Sequence, residues 1–147
     1  MQIDFMGFDL NGHKASIFND GNDTWSTTTR SSIGLAVKNT ILIPDKTANK
    51  YVYIDSFTVS QNQVLASCEK ATGEKWEATQ IDAKKIKTER LEKLSGGDFS
   101  GAMSLIRYIN CVDGHGGNYT EYKESANQLL SLPKQTLDEV MKGIVKS

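Results

Sequence analysis

The chain has 147 residues, 38% of them hydrophobic and 24% charged, and its 17 basic and 18 acidic side chains leave a net charge of -1. That length supports one domain with a sizeable core, and the composition is ordinary for a soluble globular protein, so a disordered chain is not expected. The near-neutral balance draws in neither nucleic acid nor an anionic membrane, and no apolar run is long enough to span a bilayer. Nucleic-acid and membrane partners are therefore not expected, and with no export signal at the N-terminus the expected location is cytoplasmic.

In chain order, residues 15–18 and 24–28 read as strands around the polar turn 19–23. Residues 31–42 read as a helix with Ile33, Val37 and Ile41 on one face, ended by Pro44. Tyr51, Val52, Tyr53 and Ile54 have the β-branched and aromatic character of a buried strand, followed by a turn. Ser60 and Gln63 form a capping box for a helix with Val64, Leu65, Cys68 and Ala71 on its apolar side and a stop at Gly73.

Residues 75–81 alternate as a further strand. Residues 82–94 read as a charged amphipathic helix whose Ile86, Leu91 and Leu94 face the core. Its charges between Lys84 and Lys93 form either a solvated face or a surface for a partner. Residues 99–112 are apolar around almost the whole circumference, with Arg107 the one charge, which predicts a helix that is buried or lines a cavity. Tyr122, Ala126, Leu129 and Leu130 mark another helix stopped near Pro133. A last one opens at the Thr136–Glu139 capping box and carries Leu137, Val140, Met141, Ile144 and Val145 on one stripe. Strands alternate with helices first and helices then dominate, the pattern of a single α/β domain passing into a helical C-terminal portion.

The chemical motifs are sparse. Gly96 and Gly101 have the spacing of a phosphate loop, but Ala102 and Met103 stand where a lysine and a hydroxyl are required. Gly114-His115-Gly116 begins like a dinucleotide fingerprint, yet Tyr119 takes the third glycine position and no strand precedes it. His13 and His115 lack metal-ligand spacing, so no metal site is expected. Cys68 and Cys111 sit in apolar helical patterns and are expected as buried, reduced thiols; Trp25 and Trp76 are expected in the core. The loop 113–119 is either a ligand-contacting loop or a helix cap followed by a turn. Its three glycines admit close approach, and His115, Asn118 and Tyr119 offer polar and aromatic groups. Phe5, Met6 and Phe8 either wall an apolar pocket or belong to the core.

The run 14–36, KASIFNDGNDTWSTTTRSSIGLA, resembles NmrA-like and isoflavone-reductase-like proteins, in which a strand, an acidic-glycine turn and a Ser/Thr segment lead into a helix. Tyr51-Val52-Tyr53-Ile54, Thr58-Val59-Ser60-Gln61-Asn62, Thr72-Gly73-Glu74-Lys75-Trp76 and Gly97-Asp98-Phe99 continue the resemblance over nearly the whole chain. It implies an atypical short-chain dehydrogenase: an N-terminal Rossmann part that binds NADP or NAD and a smaller C-terminal part that closes over the substrate. The implied fold class is α/β, the C-terminal portion of a Rossmann-like NAD(P)-binding fold, with few strands followed by a mainly helical substrate-binding region.

Residues 1–147 would then be one partial domain whose dinucleotide-binding half is absent. The family's glycine fingerprint and catalytic lysine match no residue here. No catalytic, cofactor-binding or metal residue is assigned, and this chain alone is not expected to be active or to hold NADP or NAD tightly. The resemblance implies a pocket for a small aromatic or phenolic substrate, built from Phe5, Met6, Phe99, Met103, Tyr108, His115, Asn118 and Tyr119. The alternative is a non-catalytic regulatory or partner-binding module of the NADP-sensing kind. Either way, a strand at 51–54 needs neighbours from the missing half, and its bare edge invites self-association.

Overall fold

The structure is a computed structural model that describes residues 6–121 and 123–145. A three-stranded sheet combines β1 (Phe8–Asp9), β2 (Lys14–Phe18) and β5 (Glu77–Ile81), with β1 antiparallel and β5 parallel to the central β2. A separate antiparallel pair joins β3 (Thr24–Thr27) to β4 (Phe57–Ser60), with Trp25 opposite Val59. Around them lie α1 (Arg30–Leu42), the single turn α2 (Pro44–Thr47), α3 (Gln61–Thr72), α4 (Ala83–Ser95), α5 (Ala102–Cys111) and α6 (Leu137–Val145). Short 3-10 turns at Phe99–Gly101 and Tyr119–Glu121 flank α5 and its following loop. No helix among the described residues is long and apolar enough to cross a membrane.

Local chemistry sets the helix ends. Ser60 and Gln63 complete the reciprocal capping box of α3, whose far end turns through Gly73 at φ 75°. Asp82 caps α4 by accepting from the Lys85 N–H, and Thr136 exchanges bonds with Glu139 before α6. The core gathers Phe8, Ile17, Phe18, Trp25, Val64, Cys68, Trp76, Tyr108, Cys111 and Met141 between the sheets and the helices α3, α5 and α6.

Gln61 closes the weak side of β2. Since β1 is only two residues long, it leaves the N–H of Phe18 and the carbonyl of Ser16 without a ladder partner. The buried Gln61 amide accepts from Phe18 N at 2.8 Å and donates to Ser16 O at 3.2 Å, standing in for the absent strand.

Several expectations are corrected. Helix α1 forms, but Ser32 and Ala36 face inward, and Ile33, Val37 and Ile41 are exposed, Ile41 by 72%. Polar anchors on the inner face set this rotation: Ser32 joins a hydroxyl cluster with Thr29, Ser56 and Gln135, while Asn39 donates to Leu130 O at 2.7 Å. Residues 51–54 form no strand. No described strand lies beside them, and Tyr51 is 92% exposed. The Tyr53 carbonyl accepts instead from Ala126 N, and that of Ile54 from the Thr28 hydroxyl.

Residues 57–60, expected as a turn, are the strand β4, and Phe8–Asp9 adds a strand not expected. Leu91 of α4 is exposed, whereas Ala83 is buried and Ile86 packs on the core. The helix expected around 122–130 does not form over the described residues. Asn127 instead bonds Asp55 along its backbone, donating to the carbonyl at 2.7 Å and accepting from the N–H at 3.3 Å. Tyr122 lies outside the described residues.

Candidate functional site

Helix α5 is apolar on two sides. Tyr108 and Cys111 enter the core, while Phe99, Met103, Ile106 and Ile109 look outward, Phe99 by 73%. Their spacing of three and four residues places them along one continuous stripe. The helix expected to be buried or to line a cavity is half-buried, with an apolar wall open to solvent. Arg107, its one charge, turns inward, stacks 4.4 Å from the centroid of the Phe18 ring and donates to Ser16 O. Gly7 makes room for it: at φ 91° a Cβ there would come within 2.3 Å of the guanidinium carbon. Burial lowers the Arg107 pKa, and the guanidinium serves as a pin between α5 and β2.

The loop after α5 holds three of the candidate residues. Exposed His115 places Nε2 3.1 Å from the Tyr108 hydroxyl, and the two rings lie 4.9 Å apart. Asn118 donates to Thr24 and Glu121 and accepts from Ser26 and Thr120, which uses both hydrogens and both lone pairs of its amide. Tyr119 packs its ring 5.5 Å from that of Tyr53, and burial, followed by the nearby Asp55 carboxylate, raises its phenol pKa. Gly114 and Gly116 take positive φ, and a Cβ on Gly117 would meet the Asn110 carbonyl at 2.3 Å.

The seven described residues among the eight proposed from the sequence thus do not converge on one cavity. Tyr108 and His115 meet each other; Asn118 lines a polar cleft with the loop glycines; Phe99 and Met103 belong to the α5 wall. Met6 lies elsewhere, and Phe5 is outside the described residues.

Met6 lines an apolar cavity of about 220 Å³ that sequence reasoning missed. Trp25, Val59 and Val64 form one side, and Val140, Met141 and Ile144 of α6 the other. The signal for it was the α6 stripe, which reads equally as core packing. Among the described residues no cluster of histidine, cysteine and carboxylate groups suits a metal ion, and burial pushes the Cys68 thiol to about 11 and the Cys111 thiol to about 12. Neither is a ready nucleophile.

No family model matches the chain. Over 142 residues it is 49% identical to oxidoreductase aprR of Aspergillus flavus, covering 97% of this chain and 48% of that protein. Oxidoreductase poxI of Penicillium oxalicum is 26% identical over 143 residues, 96% of this chain and 46% of its own. The solved structure of an isoflavone reductase superposes with a TM-score of 0.67 at 23% identity, over 89% of this chain and 43% of that one. The chain carries the isoflavone-reductase fold. A nucleoside-diphosphate-sugar epimerase from Staphylococcus aureus shares it more distantly, with a TM-score of 0.56 at 20% identity over 90% of this chain and 44% of that one.

The chain spans about half the length of the curated relatives it matches. The resemblance read from residues 14–36 and the segments after them is borne out, as is the α/β class with few strands and a mainly helical remainder.

Proposed function

We propose that the chain is the C-terminal, substrate-binding part of an NAD(P)-dependent oxidoreductase, and that the outward face of α5 is one wall of its substrate pocket. The observation that carries this reading is that wall: Phe99, Met103, Ile106 and Ile109 exposed together in a chain that matches about half of two oxidoreductases. An apolar stripe of this kind is costly in water unless something covers it. A small aromatic or phenolic substrate, held between α5 and the remainder of the protein, suits its chemistry. His115, beside Tyr108 at the end of the wall, supplies a polar group to orient it. NADP or NAD is held by the other half, whose glycine-rich loop would receive the phosphates on a helix N-terminus.

The test pairs this chain with the complementary half of the Aspergillus oxidoreductase. Oxidation of NADPH that depends on an aromatic carbonyl substrate is expected with both halves together and not with this chain alone. Phe99→Asp combined with Met103→Asp is expected to raise KM about tenfold or more with a smaller change in kcat, since the wall contributes uniform binding. Turnover by the isolated chain, or an unchanged KM in the double variant, would overturn the assignment.

A further inference from the structure

The cavity beneath α6 has no lining residue from α5, so it is separate from the proposed substrate wall. Its lining is mostly apolar, with Trp25, Val59, Val64 and Met141 among the residues that form it. An apolar void of about 150 Å³ already accepts benzene, so about 220 Å³ has room for a substituted ring. Thr27, Arg30 and Ser31 line its polar end, and Arg30 and Ser31 are exposed.

The hydrogen-bond accounting at that end selects the ligand's head group. Thr28 spends its proton on Ile54 O at 3.0 Å, and Thr29 spends its own on Gln135 Oε1 at 2.8 Å. With Thr29 committed, Ser31 is left to donate to it across 3.1 Å. The hydroxyls of Thr28, Thr29 and Ser31 are thus engaged with the protein. Arg30 enters none of the ion pairs formed among the described residues. Arg30, exposed among the residues that line this apolar cavity, carries a guanidinium, whose chemistry matches a carboxylate attached to an apolar body.

We propose that this cavity is a ligand site complete within the chain, which takes a small aromatic or branched-chain carboxylic acid with its carboxylate at Arg30. Neither NAD(P) nor the rest of an oxidoreductase is needed for it. Its failure and that of the α5 wall are therefore separable.

The experiment titrates para-isopropylbenzoate and its methyl ester into the whole chain and follows the methionine methyl signals by NMR. Met6 and Met141 report the cavity and Met103 reports the α5 wall. Saturable shifts at Met6 and Met141 with Met103 unmoved are expected, with the acid bound about tenfold more tightly than the ester. Arg30→Gln should abolish that preference while leaving ester binding unchanged. Val140→Phe should remove both ligands by filling the space; if it does not fold, the Arg30→Gln comparison decides alone. Shifts confined to Met103, equal affinity for acid and ester, or no saturation would each overturn the proposal.

Discussion

At the scale of single residues, buried groups with no charged role still set how the protein responds to pH. Burial raises Cys68 to about 11, and raises Cys111 to about 12 against the opposing pull of Arg107. An unfolded thiol releases its proton near the ordinary value of 9.0, so above that pH the unfolded chain binds fewer protons than the native one. The stabilisation is complete below pH 9.0 and is lost as pH climbs through the folded values. Urea midpoints should therefore fall from about pH 9 upward. Iodoacetamide at neutral pH should label the unfolded protein and spare the native one, and rapid native labelling would contradict the burial argument. The burial of both thiols was legible, since each sits in an apolar helical pattern. The destination of Arg107 was not: its lone charge stood out, but its contacts with Phe18, Ser16 and Gly7 come from 89 or more positions away.

At the scale of elements, α6 and α1 show when an apolar stripe predicts its own burial. In α6 the stripe reading holds: Met141 is buried and Leu137 and Ile144 pack on the core. Asp138 fastens the helix to α3 through the Ser67 hydroxyl at 2.7 Å and the Lys70 ammonium. Lys70 first, and then Ser67, hold its pKa below the usual carboxylate value, so this tie stabilises above that value and weakens as acid protonates Asp138. Met141→Ala should cost about 2–5 kcal/mol in a urea melt through the cavity it leaves. A cost under about 0.5 kcal/mol would mean that α6 is not docked as described. In α1 the stripe of Ile33, Val37 and Ile41 points to water, because its opposite face holds the side chains that bond Gln135, Ser56 and Leu130.

For the whole molecule, the exposed face of α1, the outward wall of α5 and Tyr51 leave several large apolar side chains uncovered. The isolated chain should self-associate as its concentration rises in sedimentation velocity runs, and should bind an anilinonaphthalene dye in its native state. Ile41→Lys together with Phe99→Lys should shift the population toward monomer and lower dye binding. A sharp monomer peak at every concentration for the unaltered chain would count against this. Residues 51–54 carry the composition of a strand without forming one, because a ladder needs a neighbour and none lies beside them among the described residues.

By itself the sequence determined the features that act within about four residues: the capping boxes at Ser60 and Thr136, the left-handed stop at Gly73, the Asp82 cap and the strands on either side of Gly21. It also determined the kinship, because the matching segments are spread along nearly the whole chain. Only the tertiary structure decided which face of α1 and α5 turns inward, that residues 51–54 join no strand, and that a cavity remains between α6 and the β3–β4 pair. Periodicity defines an apolar stripe but not its neighbour, and the neighbour is supplied by residues far along the chain. Where distant side chains provide hydrogen-bond partners, as Gln135 does for Ser32 and Thr29, they set the rotation of a helix against its own hydrophobic pattern.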